Sequence, residues 1–366
     1  MTPGAPPEAA APRAPGSPRV YWEVTRACDL ACRHCRAEAN AARDPHELTT
    51  GEGRRLLDAL RGFGLSGAPV ILTGGDPFKR ADLWELLQHG AALGLDLSVA
   101  PSGTAALTAD AIERLRESGV QAISLSLDGS TAGRHDGLRG VPGCFARTLE
   151  AAQAAVASGL GVQINTLVSA ETAADLGAIS ERVAALGAGR WSLFFLIHVG
   201  RGRVLRPLDP ERCEELLGAL WEQAESAPFT LATTEAPHYR RVALQRMRAN
   251  GWEPEAVRRH PVRRSFGIRD GSGIMFVSHT GDVSPSGFLP LVVGNVRAAN
   301  PVDLYRDAPL FRRLRQPERF GGRCGRCEFR AVCGGSRARA FAASGDPLAE
   351  DPLCPYEPGL PVAPAS

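Results

Sequence analysis

Three cysteines fall within eight residues, Cys28-Asp-Leu-Ala-Cys32-Arg-His-Cys35, in the spacing C-x3-C-x2-C. Each iron of a [4Fe–4S] cluster takes one terminal ligand, usually a thiolate. Three thiolates therefore leave one iron free to chelate a small molecule and to pass it an electron. A second set lies near the other end: Cys324-x2-Cys327-x5-Cys333, then twenty residues to Cys354. Four thiolates can ligate a cluster completely. Zinc is the competing reading of both sets. Structural zinc usually takes two C-x2-C pairs or a C-x2-4-C with H-x3-5-H. The C-terminal set has one such pair. In the N-terminal set His34 is adjacent to Cys35, a poor geometry for closing a tetrahedron. Cys144 and Cys213, the remaining two of nine cysteines, fall at or near expected helix starts and read as plain structural residues.

Loops that hold such ligands need strands and helices to position them. Strand-like apolar runs are expected over 20–24, 70–73, 96–100, 122–127, 162–167 and 191–197. Amphipathic helices are expected between them, over 50–60, 82–93, 108–118, 145–158 and 172–186. Thr49 and Glu52 form a capping box for the first, and Gly119, Gly159 and Gly187 stand where helix C-caps belong. Near-continuous apolar strands alternating with helices imply a parallel sheet. Six such units give an α/β fold, a partial (β/α)6 TIM-type barrel whose chemistry sits at the C-terminal strand ends. Periodicity alone leaves a doubly wound sheet open. Beyond the sixth strand the sequence suggests a helix over 209–224, a short strand over 229–232, a helix over 237–250 and a hairpin of 274–277 with 282–284. Expected bounds are a disordered tail at 1–18, the barrel at 19–230, a linker helix and basic segment at 231–270, and a small C-terminal iron–sulfur auxiliary domain at 271–366.

With a net charge of +2, the chain carries no field for a polyanion, so nucleic acid is not expected. No apolar run approaches the ~20 residues that span a bilayer, so no membrane association is expected. Residues 1–18 lack the basic and apolar regions of a signal peptide. The expected compartment is the cytoplasm, where clustered cysteines bind metal more often than they form disulfides.

The C-x3-C-x2-C loop after the first strand resembles the radical SAM superfamily, in which this loop holds the cluster that binds S-adenosylmethionine (SAM). The resemblance implies reductive cleavage of SAM to a 5′-deoxyadenosyl radical and hydrogen abstraction from a substrate. Thr73-Gly74-Gly75-Asp76-Pro77 resembles the family's Gly-Gly-Glu stretch, which binds the amino group of SAM, with Asp76 for the usual Glu. By itself this is also good turn chemistry. Ser126 and Asp128, and Asn165 on the next strand, resemble strand-end contacts to the SAM ribose and carboxylate. His34 sits where the family often places an aromatic against adenine, with Phe195 and Leu196 as apolar candidates. His135-Asp136 and Arg139-Gly140 match a recurrent loop, with loop-ordering the plainer reading.

The C-terminal cysteines resemble the SPASM/twitch auxiliary domain, whose full form has seven cysteines. Ser286 and Arg337 stand where two others are expected, so one auxiliary cluster is implied, giving two clusters in all. Cys333-Gly-Gly-Ser-Arg-Ala-Arg, Asp351-Pro-Leu-Cys354, the 282–290 stretch and Gly294-Asn-Val-Arg297 are similar to the branch of heme d1 and alternative heme biosynthesis. That branch implies a tetrapyrrole substrate and an electron donor such as ferredoxin or flavodoxin. A peptide substrate, as in SPASM-type maturases, is the alternative. It is weakened by the few residues ahead of the first strand, too few for a leader-binding domain. A non-catalytic iron–sulfur electron carrier is the third reading, and it would not need an open iron. Glu235, His238, Tyr239 and Arg240 form a candidate substrate-binding stretch able to meet carboxylates or an iron. The competing reading is a helix start capped by Thr234. The 258–264 run of Arg and His either faces propionates or is a solvated surface.

Overall fold

The computed structural model describes residues 17–64 and 67–359. The tail expected at 1–18 lies outside them except for Ser17 and Pro18, which are buried. One ten-stranded sheet organises the molecule: β1 (Arg19–Thr25), β2 (Val70–Gly74), β3 (Leu97–Val99), β4 (Ala122–Ser126), β5 (Gly161–Val168), β6 (Arg190–Phe195), β7 (Thr230–Thr234), β8 (Ile274–Val277), β9 (Asp282–Ser284) and β10 (Gly294–Asn295). Their spatial order is β10-β9-β8-β1-β2-β3-β4-β5-β6-β7.

The six expected β/α units are β1 to β6, each paired in parallel with the next. The sheet then continues past both ends. β7 adds in parallel to β6, and β8 adds in parallel to the free edge of β1, with Arg19 opposite Ile274 and Trp22 opposite Val277. β7 straddles the barrel bound drawn at 230 and β8 lies beyond it, so strands from the linker and auxiliary segments share the barrel's own sheet.

The strands are not uniformly apolar; they alternate. Val20, Trp22, Val70, Leu72, Ile123, Leu125, Val162 and Ile164 belong to one buried core beneath the helices. Residues of the other parity, among them Tyr21, Thr73, Ser124, Ser126, Gln163 and Asn165, are half-buried on the opposite face. Period-2 alternation of this kind puts each set on one side of the sheet. One side is therefore core, and the other is a polar lining suited to a water-excluded ligand rather than to packing.

The first helix, Thr50–Leu60, begins with the expected capping box: Glu52 N donates to Thr49 Oγ1, and Thr49 N donates to Glu52 Oε2 at 2.8 Å. Arg297, from the C-terminal part, donates to the same Glu52 carboxylate at 2.7 Å. Gly119, Gly159 and Gly187 all have positive φ just past a helix end. The stretch after Asp128, expected as loop, is a helix at Ala132–Arg139, capped by Thr131 and closed by left-handed Gly140. The helix expected from 237 begins at Tyr239, with His238 as N-cap and no side-chain cap bond. Thr234 does not cap it; it ends β7. No helix among the described residues is long and apolar enough to cross a membrane.

Candidate active site

The cysteine loop leaves β1 at the C-terminal edge of the sheet, where β2, β4 and β5 also end. Close backbone approach fixes it there. Gly75 N donates to Thr25 O and Asp76 N to Ala27 O, at 2.8 and 2.7 Å. A Cβ on Gly75 would overlap the Ala27 carbonyl oxygen, and Gly74 adopts φ 146°. These glycines thus serve contact between two loops of the protein itself. Asp76 is fully enclosed. Its carboxylate accepts from Thr104 Oγ1 at 2.7 Å and from the Phe78 and Ser102 amides, so it pins the loop after β3 to the loop after β2. Burial pushes its pKa up, against those hydrogen bonds.

Cys28 and Cys32 are buried and Cys35 is half-buried. Leu30 N donates to Cys28 Sγ and Ala39 N to Cys35 Sγ, both at 3.4 Å. Ser102 Oγ lies 3.5 Å from Cys28 Sγ and donates to Gly75 O at 2.7 Å. From the short 3-10 helix Gly200–Val204 after β6, Arg201 reaches the Cys32 and Ala39 carbonyls at 3.0 and 3.1 Å. Backbone amides aimed at sulfur are what an iron–sulfur cluster uses to hold its thiolates. The donor set therefore fits a cluster.

Arg139 is the polar centre of this region. Its guanidinium pairs with the Asp128 carboxylate and reaches to 3.8 Å from Cys32 Sγ. Asp128 is buried, and its other oxygen accepts from Leu167 N at 2.7 Å. Burial would raise the Asp128 carboxyl, but Arg139 and the nearby imidazoles hold it below the usual range. Asp128 N donates to His135 Nδ1 at 3.0 Å, so His135 carries its proton on Nε2, 3.4 Å from Cys144 Sγ. Burial and then Arg139 bring His135 down to about 4, and do the same to His34. His34 lies 3.9 Å from Asp128, and its Nδ1 has no hydrogen-bond partner among the described residues. A neutral imidazole with an unpartnered ring nitrogen beside the cysteine loop fits a ligand such as a nucleobase.

Thr73, Ser126 and Asn165 all lie on the polar face, with Ser126 directly opposite Asn165 in the β4–β5 register. Asn165 Oδ1 accepts from Gln163 Nε2 at 2.7 Å. Ser126 ends β4 on the polar face, whereas Asp128, two residues past it, is buried against Arg139. Phe195 belongs to the core. Its neighbour Phe194 takes the half-buried side, tilted against Phe288. Leu196 packs with Leu138, Leu167 and Leu205. Sequence reasoning underrated Arg139 and missed Ser102 and Arg201. Arg139 carried a signal, the Arg-Gly pair closing an uncalled helix; Ser102 and Arg201 become visible only when three loops meet.

At the other end Cys324, Cys327, Cys333 and Cys354 line a single cavity together with Arg241 and Tyr356. Asp351 N, Phe329 N and Gly335 N each donate to a cysteine sulfur at 3.4 Å. The arrangement fits a fully ligated cluster. In the protein alone, burial pushes the Cys333 thiol up to about 12 and the Cys354 thiol to about 11. Binding of an iron centre there must therefore displace protons. Ser286, in a position where a cysteine was expected, is buried and accepts from Phe288 N and Leu289 N. Arg337, in the other, is fully enclosed and reaches Cys324 Sγ.

The four residues expected to face substrate divide. Glu235 follows β7 with a left-handed backbone, φ 61°. Its carboxyl accepts from Ser336 Oγ, and burial together with the Asp270 carboxylate raises its pKa well above the usual value. His238, Tyr239 and Arg240 are buried beneath the C-terminal cysteines. His238 Nε2 lies 3.3 Å from Cys213 Sγ, and Tyr239 packs against Trp221. Arg240 reaches the Val332 carbonyl at 3.4 Å. The Arg/His run is mostly exposed, with Arg258 and Arg259 paired to Glu255 and His260 packed against Trp221.

Residues 22–183 match the radical SAM superfamily. The chain is 40% identical over 351 residues to the AdoMet-dependent heme synthase of Oleidesulfovibrio alaskensis, covering 94% of this chain and 89% of that one. It is 30% identical to the pre-heme d1 synthase of Dinoroseobacter shibae, covering 92% and 86%. Among solved structures, Streptococcus suis SuiB bound to its precursor peptide SuiA superposes with a TM-score of 0.72 at 18% identity, over 93% of this chain and 76% of that one. The fold, a partial barrel with a C-terminal extension, is thus shared. An enzyme that uses SAM and a [4Fe–4S] cluster replaces the electron-carrier reading, and the chain belongs to the radical SAM superfamily, in the branch of the AdoMet-dependent heme and pre-heme d1 synthases.

Proposed function

We propose that this radical SAM enzyme modifies carboxylate-bearing side chains of an iron tetrapyrrole, removing a propionate carboxyl as carbon dioxide. The observation that carries the reading is near-full-length identity of 40% to a heme synthase. Cys28, Cys32 and Cys35 would hold the SAM cluster. Cys324, Cys327, Cys333 and Cys354 would hold an auxiliary [4Fe–4S] cluster. When bound, the first cluster and SAM would supply a 5′-deoxyadenosyl radical that takes one hydrogen atom from the substrate; the second electron, released as carbon dioxide leaves, would need an acceptor, for which the auxiliary cluster is the candidate.

The rest falls to the protein's own groups. Thr73, Gly74 and Gly75 present backbone at the mouth of the sheet, with Asp76 locking their loop. Ser126 and Asn165 offer adjacent hydrogen-bonding side chains on the polar face. Asp128 acts through Arg139, whose guanidinium it orients toward Cys32. His34 offers an uncharged ring nitrogen to adenine. Glu235, at the end of β7 with its pKa raised by burial and by Asp270, is the candidate hydrogen-bonding partner for a substrate carboxylate. His238, Tyr239 and Arg240 support the auxiliary site from beneath. Electrons would come from a ferredoxin or flavodoxin. The expected bounds at 18, 230 and 270 describe segments that differ in role although they share one sheet.

The test is anaerobic turnover with SAM, a reductant and iron-coproporphyrin. Loss of one carbon dioxide and two hydrogens per propionate, with 5′-deoxyadenosine released, is the expected result. Release of 5′-deoxyadenosine with the porphyrin mass unchanged would overturn the substrate assignment. A peptide substrate, the kind carried by SuiB, would then be the reading to pursue.

A further inference from the structure

Buried guanidiniums form a wall by the C-terminal cysteines: Arg337, Arg240 and Arg269 without a matching carboxylate, and Arg241 paired with Glu214. Arg337 places Nη2 3.5 Å from Cys324 Sγ. Its other bonds go to the carbonyls of Gly335, Pro347 and Ala349. Arg241 places Nη2 3.6 Å from Cys354 Sγ, with Glu214 on its other side. Arg240 and Arg269, also buried, reach only backbone carbonyls. Among the described residues, Arg240, Arg269 and Arg337 have no carboxylate within ion-pair distance.

Buried charge left uncompensated is strongly destabilising, so this wall calls for an anion. Four thiolates around an oxidised four-iron core are doubly negative, and one-electron reduction makes them triply negative. Positive neighbours and N–H···S bonds favour the added electron. The N-terminal cysteines are treated differently. There Arg139 stands 3.8 Å from Cys32 Sγ and is paired with Asp128, the unpaired Arg201 bonds the Cys32 and Ala39 carbonyls rather than a sulfur, and Cys28 meets only the Ser102 hydroxyl and a backbone amide.

We propose that Arg337 and Arg241, by donating to Cys324 and Cys354, set the reduction potential of the auxiliary cluster and make it the more readily reduced of the two. This rests on the reading that these four cysteines hold a [4Fe–4S] cluster. The step is the gain of one electron by the core, from 2+ to 1+, with no bond made or broken and no proton taken up. The electron comes from an external low-potential donor, dithionite in the test.

The experiment is an EPR-monitored potentiometric titration of the full chain bearing Cys28→Ala, Cys32→Ala and Cys35→Ala, reconstituted to one cluster. Parent protein without four irons and four sulfides would overturn the auxiliary cluster itself, a failure distinct from that of the tuning. With the cluster present, the midpoint should lie above that of the complementary variant lacking the C-terminal cysteines. Arg337→Gln and Arg241→Gln should each lower it by about tenfold in the reduction equilibrium, ~59 mV for one electron. Unchanged midpoints in loaded variants overturn the proposal. Should the glutamine variants fail to load, Arg337→Lys and Arg241→Lys, which keep the charge and lose the planar fork, carry the measurement. A fall of less than tenfold is then expected, and an unchanged or raised midpoint overturns the proposal.

Discussion

His279, on the turn after β8, places Nδ1 2.9 Å from Oε1 of Glu23 on β1. The same imidazole lies 3.2 Å from Asp44, and the other Glu23 oxygen accepts from Arg36, next to Cys35, at 2.7 Å. Four residues from four chain segments thus tie the cysteine loop to the C-terminal part.

This network makes stability depend on pH with a definite sign. Burial would lower the His279 pKa, but Glu23 and Asp44 outweigh it and raise the value above 6.5. The raised value means that the contribution is complete below about pH 6.5, the unfolded value. It is lost as pH rises through the folded value. His279→Gln should cost about 1.5–3 kcal/mol at pH 6 and progressively less toward pH 9. Urea midpoints at both pH values check this; an equal loss at both would refute it.

Arg139→Gln leaves Asp128 buried without its cation, a change worth roughly 3–5 kcal/mol. The loss should concentrate at the N-terminal cysteines, so reconstituted iron should drop from about eight to about four per chain. Asp128→Asn combined with Arg139→Gln should recover part of the stability. Iron analysis and thermal melts of the single and double variants decide it.

Replacing Gly75 by alanine drives a methyl into the Ala27 carbonyl and must displace the cysteine loop. Formation of 5′-deoxyadenosine should fall by at least tenfold while the C-terminal cysteines still take up iron. A variant with full activity would show that the loop tolerates the shift.

Cofactor removal separates the two sites. The triple alanine variant of Cys28, Cys32 and Cys35 should retain about four irons and release no 5′-deoxyadenosine. Alanine at Cys324, Cys327, Cys333 and Cys354 should also leave about four, with SAM cleavage by a chemical reductant preserved. Iron counts and product assays on the two variants suffice.

The sheet was legible in the sequence wherever a strand alternates with a helix that buries it, as from Val20 to Phe195. β7 and β8 were legible as strands but not as neighbours of β6 and β1; for β8 the pairing with β1 spans more than 250 residues and leaves no local pattern. The helix Ala132–Arg139 escaped because its polar residues point at Asp128, Cys32 and Cys144 rather than forming an apolar stripe. Cysteine spacing marked both iron sites, since ligand geometry is partly written in loop length. The guanidiniums around the C-terminal site were not legible as a group, because Arg241, Arg269 and Arg337 meet only in three dimensions. Phe195 was misjudged by one residue of strand parity, which exchanges core for polar face.

The pairing of β8 with β1 also dictates an order of events on the ribosome. β1 is made well before β8, and one of its edges stays bare until residues 274–277 have followed. Contacts of such long sequence separation form late. The loop bearing Cys28, Cys32 and Cys35 therefore hangs from an unfinished support through most of translation, and iron delivered to it before release would meet a site not yet held in shape.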